Sequence, residues 1–128
     1  PNEYTPFDVP LGAKAAIDLT SAPFNAASDL WTELNDYSGC QALEEKARGE
    51  GVDLIIYQSV RDPERRMNGA LLDCRGFAAK KPKRHQSWKL WFNAAGAHAI
   101  EEFGEGRFSM APEAFGKDQR IAGMAWER

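Results

Sequence analysis

Leu54-Ile55-Ile56-Tyr57-Gln58-Ser59-Val60-Arg61-Asp62-Pro63 is the stretch on which the fold turns. With Val52 and Asp53 ahead of it, it is rich in branched and aromatic residues and is bounded by Gly51 and by Asp62-Pro63. Those are the marks of a strand, and residues 52–60 are expected to be a central one. The two-residue period of a strand puts Tyr57, Ser59 and Arg61 on one face and Leu54, Ile56, Gln58 and Val60 on the other. The first face should be accessible and line a cleft, with Ile56 and Val60 buried opposite. It then offers a ring that can stack on a heteroaromatic base, a hydroxyl, and a planar fork for phosphate oxygens, a set that suits a nucleotide. The competing reading is a strand end whose tyrosine packs on the next layer and whose arginine pairs with Asp62 or Asp53.

Upstream, Ser38 with Gln41 three residues later spells a capping box. The helix it opens buries Leu43 and Ala47 and stops at Gly49 and Gly51. Phe24, Ala27, Leu30, Trp31 and Leu34 recur at helical spacing, so residues 22–35 read as an amphipathic helix with Pro23 in its first turn. Before it, Ala15 to Leu19 makes a short strand. Pro1, Pro6 and Pro10 leave the entry segment extended or at a sheet edge. Downstream, residues 64–67 are a polar connection and Gly69 to Cys74 hairpins back. A basic loop, Lys80 to His85, precedes a half-buried strand in which Trp88, Leu90 and Phe92 alternate with Lys89, Trp91 and Asn93. From Gly104 on, glycines and scattered Phe108, Phe115, Ile121 and Trp126 predict a loose tail with at most one short helix near Pro112 to Phe115. The division expected is a domain over residues 1–104 and a tail, 105–128, packing on it.

Length and charge exclude several classes. One compact domain is the expectation for 128 residues, and 43% hydrophobic with 27% charged residues is ordinary globular composition. A net charge of −3 disfavours general affinity for nucleic acid, so no direct nucleic-acid contact is expected. No run approaches the ~20 apolar residues of a membrane span. Cys40 and Cys74 are too few for a secreted disulfide scaffold and read as buried thiols of a reducing cytosol. His85 and His98 have no ligands at metal spacing and read as surface or satisfied side chains, so no metal is expected. Lys80, Lys81, Lys83 and Arg84 beside Trp88 and Trp91 leave a third, less favoured reading as a module for single-stranded nucleic acid. Glu101, Glu102 and Glu105 read as a solvated face.

The order Tyr37, Gln41, Ala42, Leu43, Arg48, Gly51, Asp53, Ile55, Ile56, Tyr57, Ser59, Val60, Arg61, Asp62, Pro63 and Asn68 resembles the RES domain, a bacterial toxin family named for an arginine, a glutamate and a serine. Ile17-Asp18-Leu19-Thr20 resembles the family's earlier strand-to-helix step, and Gln86 to Phe92 its closing strand. The resemblance implies an α+β fold of ADP-ribosyltransferase type, a mixed sheet flanked by two or three helices, in the bacterial cytoplasm. It implies NAD as a substrate rather than a cofactor, cleaved between nicotinamide and ribose, with water, phosphate or a protein side chain as acceptor. Ser59 takes the place of the family's serine as the catalytic residue at the nicotinamide end. Tyr57 and Arg61 stand beside it as substrate-binding residues. A helix-turn-helix antitoxin is the implied partner, and a homo-oligomer is left open.

The family's arginine and glutamate have no counterpart in matching local sequence. Glu3 and Glu33 do not fit it, and no arginine precedes Arg48. The chain opens on Pro1, so it is expected to be the C-terminal part of a longer member that turns NAD over barely or not at all alone. A carboxylate is what the developing charge on the ribose requires. Were the chain active, Glu101 and Glu102 would be the first substitutes to examine. The rival from another class is a non-catalytic nucleotide- or partner-binding module on the same fold.

Overall fold

A computed structural model describes residues 1–124. Trp126, one of the tail aromatics, lies outside them. The fold is α+β. The strands are β1 (Asn2–Tyr4), β2 (Ala16–Asp18), β3 (Leu54–Gln58), β4 (Met67–Leu71), β5 (Trp88–Asn93), β6 (Gly96–Glu101) and β7 (Arg107–Met110), and the helices are α1 (Ser28–Trp31) and α2 (Ser38–Gly49). Residues 10–80 form one compact unit, and residues 1–9 with the described residues from 81 onward form another. The strands divide between two sheets rather than joining one.

In the 10–80 unit the sheet order is β2-β3-β4, so β3 is central as expected. Ile17 lies opposite Ile55 in a parallel pair, and Ile55 opposite Ala70 in an antiparallel one. This is the mixed sheet. A parallel pair needs a crossover, which α1 and α2 supply. Leu19, Ala47 and Ile55 are the buried centre, with Phe24, Trp31, Leu43, Tyr57 and Leu72 packed around them. Burying one stripe of α2 on one face of β3 is what binds helix and sheet together.

Two helical expectations are corrected. Residues 22–35 are not one helix: a 3-10 turn over Phe24–Ala27 is followed by the single turn of α1. Asn25, Ser28, Asp29 and Thr32 are poor helix formers because their side chains compete for the backbone. The Thr32 hydroxyl donates to the Ser28 carbonyl at 3.0 Å, and Leu30 points outward, 56% exposed. The Ser38–Gln41 capping box does not form either. Tyr37 occupies the cap, and the Ser38 amide donates to the Asp36 carboxylate at 2.9 Å. An ionised acceptor two residues back takes the Ser38 amide from the Gln41 side chain, and the Gln41 amide donates to the Tyr37 carbonyl at 2.9 Å rather than to the serine hydroxyl. Bonds from the Ser38 side chain and backbone in turn lower the Asp36 pKa. The predicted stop holds: the Val52 amide donates to the Ala47 carbonyl at 2.9 Å across Gly51, whose φ is +76°.

The other unit carries an antiparallel sheet of order β1-β5-β6-β7, with β1 on the edge as its prolines foretell. Residues 107–110, expected to be loose, are a strand with Phe108 opposite Ala99 and Met110 opposite Ala97. Their alternation with Arg107 and Ser109 is a short strand period hidden among glycines. A 3-10 turn covers Pro112–Phe115, near where one short helix is expected. His98 is satisfied on both sides, by Ser109 and Asn93 at 3.1 Å each, and stacks on Trp91. Cys40 is half-buried and Cys74 exposed, both free, so only the first approaches the buried thiol expected. No helix among the described residues is long and apolar enough to cross a membrane.

Candidate functional site

A cleft of about 530 Å³ opens in the 10–80 unit between α2 and the β3–β4 hairpin. Its floor is the exposed side of the core, with Leu19, Leu43, Ile55 and Ala70. Its rim is polar and comes from three places. The end of β3 and the residues after it bring Tyr57, Gln58, Ser59, Val60 and Arg61; β4 brings Asn68; the stretch from α1 into α2 brings Trp31, Glu33, Tyr37 and Gln41. An apolar floor with a few polar groups at the rim is the usual make-up of a small-molecule site. A smaller hollow of about 320 Å³ shares Leu19, Trp31, Tyr57 and Gln58 and adds Thr20, Asn25, Ser28 and Thr32.

The three residues chosen from the strand period do line one cleft. The opposite half of that expectation is corrected. Ile56 is only half-buried, and Gln58 and Val60 line the same cleft as Tyr57. The strand ends at Gln58, so beyond it the chain turns and the two-residue alternation no longer assigns faces.

The turn holds Ser59 in place. Its amide donates to the Arg66 carbonyl at 2.8 Å, and its hydroxyl oxygen accepts the Asp62 amide at 3.2 Å. Asp62 anchors the turn: it accepts the Glu64 amide at 3.0 Å and the Arg66 guanidinium at 3.1 Å. The Arg66 side chain holds the Asp62 carboxyl down to about 2. Asp62 therefore goes to Arg66 rather than to Arg61. Asp53 accepts the Lys14 amide at 3.1 Å and lies 3.9 Å from Arg75. Arg61 instead points across the rim, donating from Nη2 to the Tyr37 hydroxyl at 2.6 Å and to the Leu34 carbonyl at 3.4 Å. Tyr37 itself donates to the Leu34 carbonyl at 3.0 Å. These bonds staple the segment between the two helices to the end of β3.

Glu33 and Trp31 were not legible as site residues, because the apolar spacing of residues 22–35 read as one continuous helix. Its break after Trp31 swings Glu33 to the cleft. Glu101 accepts Gln86 Nε2 at 2.9 Å and the Gly106 amide at 3.2 Å, and Glu102 pairs with Lys89 at 2.8 Å. Burial pushes up the pKa of Cys40, which lines the cleft.

A family model described as the RES domain matches residues 1–93. The chain belongs to the RES domain family. The match takes in the Ile17 to Thr20 step, the Tyr57 to Arg61 motif and the strand that closes at Asn93, which agrees with the resemblance read from the residues. The family's fold is ADP-ribosyltransferase-like and is linked to NAD processing and to toxins. No curated protein matches the chain.

Proposed function

We propose that the cleft binds NAD and that the domain breaks its nicotinamide–ribose bond. The observation that carries this is the meeting of Tyr57, Ser59 and Arg61 on one rim in a RES domain. Tyr57 stacks on a ring of the dinucleotide, the Ser59 hydroxyl turns to the nicotinamide end, and the Arg61 fork takes pyrophosphate oxygens. When the bond between ribose C1′ and the ring nitrogen breaks, its electron pair leaves with neutral nicotinamide. Water, phosphate or a protein side chain then attacks C1′. An apolar floor keeps bulk water away from the reacting centre and strengthens each polar contact. The partner in this proposal is a helix-turn-helix antitoxin that covers the cleft.

Titration with NAD, followed by a time course of nicotinamide release, tests the reading. Binding is expected of this chain, and release of a longer chain that also supplies the family's arginine and glutamate, with Ser59→Ala lowering that turnover by about 10²–10³ as for loss of an oriented donor. Absence of NAD binding would overturn the reading. Binding with no release even by the longer chain would favour a nucleotide-binding module instead.

A further inference from the structure

We propose that Ser109 is an activated nucleophile that accepts an acyl group from acyl phosphates, at a site built wholly on β5, β6 and β7. Strand register puts Trp91 opposite His98 and His98 opposite Ser109, so the three side chains share one face of the sheet. A serine hydroxyl attacks a carbonyl readily only when a base takes its proton, and an imidazole does so through its bare nitrogen. Asn93 decides which nitrogen is bare. The Ala95 amide donates to Asn93 Oδ1 at 2.8 Å, which fixes the side-chain amide, since the flipped form would set two donors face to face. The same oxygen lies 3.1 Å from His98 Nε2, so Nε2 carries the proton and donates it. Nδ1 is then unprotonated, and the Ser109 hydroxyl, 3.1 Å away, donates to it.

Trp91 stacks on the imidazole with ring centroids 5.6 Å apart and holds its plane. His98 is half-buried, whereas Ser109 is exposed on the edge strand β7, where a substrate can reach it. Both lie past residue 93, where the family match ends. Arg107 follows on the same face of β7, exposed and without an ion pair among the described residues. A free guanidinium two strand positions away, about 7 Å, suits a donor whose leaving group is a phosphate. With an acyl phosphate, the Ser109 oxygen bonds to the carbonyl carbon and gives its proton to His98 Nδ1. The bond from that carbon to the phosphate oxygen then breaks, its electron pair leaves with the phosphate, and His98 passes the proton to it. The products are O-acyl-Ser109 and inorganic phosphate.

The experiment incubates the whole chain with acetyl phosphate and follows acetylation peptide by peptide in the mass spectrometer. Hydroxylamine removes an acetyl ester from serine and leaves acetyl amides on lysine, which separates the two. Ser109 is expected to react about 10²-fold faster than Ser38, an exposed serine on α2. That comparison needs no variant, so it stands whatever a substitution does to the sheet. His98→Phe keeps a ring against Trp91 but removes the base, and should slow Ser109 by about 10²-fold with its circular dichroism unchanged. Asn93 is a positioning residue: Asn93→Ala should slow the reaction and Asn93→Asp restore it, because a carboxylate also accepts the Nε2 proton. Arg107→Gln should slow acetyl phosphate while leaving the uncharged donor p-nitrophenyl acetate as fast as before. Acetylation of Ser109 no faster than of Ser38, or as fast in a folded His98→Phe, would overturn the proposal. Equal slowing of both donors by Arg107→Gln would overturn the choice of acyl phosphates.

Discussion

Arg61 has two claims on it. Its Nη2 already holds Tyr37 and Leu34, and the proposed ligand would use the same fork. A charge-assisted hydrogen bond contributes about 1.5–3 kcal/mol, so Arg61→Ala is expected to weaken NAD binding about tenfold or more. Tyr37→Phe removes the phenolic link but keeps the guanidinium, and should weaken binding less than about threefold. Titrating both variants separates the anion role from the staple: equal losses would mean that Arg61 matters only for holding the segment. Ser59 has a structural duty besides its proposed chemical one. Without its hydroxyl the Asp62 amide loses its acceptor, and Ser59→Ala should cost about 1 kcal/mol in a denaturant titration.

The β3–β4 hairpin depends on an acid. Asp62 has a folded pKa of about 2, against an ordinary value of 3.8, because Arg66 is bound to its ionised form. A depressed pKa stabilises the folded state fully above the unfolded value, and the effect is lost as pH falls through the folded one. The hairpin should therefore weaken as pH drops from about 4 toward 2. Asp62→Asn is expected to be less stable at neutral pH and to lose this part of the acid dependence, which amide exchange at Ser59 and Arg66 would follow. The β5–β6 turn depends on a glycine. Gly96 sits at φ +118°, and a Cβ there would lie 2.0 Å from the Met110 carbonyl oxygen. Gly96→Ala is thus expected to destabilise by about 1–3 kcal/mol from backbone strain, with added loss of β6–β7 pairing seen as faster exchange on β7.

At the scale of the molecule, a ligand that binds only the folded state stabilises it by RT ln(1 + [L]/Kd). NAD at a hundred times its Kd should add about 2.7 kcal/mol. Hydrogen exchange should show that protection within residues 10–80, the unit that contains the whole cleft. ADP-ribose can replace NAD where turnover depletes it. Protection absent from β3, β4 and α2 would argue against the cleft as the site.

Local pattern was enough where period and punctuation agreed. The central strand, the hairpin and the stop of α2 follow from a few neighbouring residues, because a strand's alternation and a glycine's positive φ are local properties, whereas Ser59 and Arg61 reach the cleft through the turn that follows β3. The partition into two sheets was not legible, because pairing β1 with β5 brings together residues more than eighty positions apart and nothing in either segment names the other. Nor was β7, whose four residues became a strand by packing Phe108 and Met110 opposite Ala99 and Ala97. Glu33 was hidden for a third reason. Its apolar neighbours spell a helix, but side chains that bond their own backbone and a tyrosine and arginine gripping Leu34 from outside break that helix, and the break is what brings a carboxylate to the cleft.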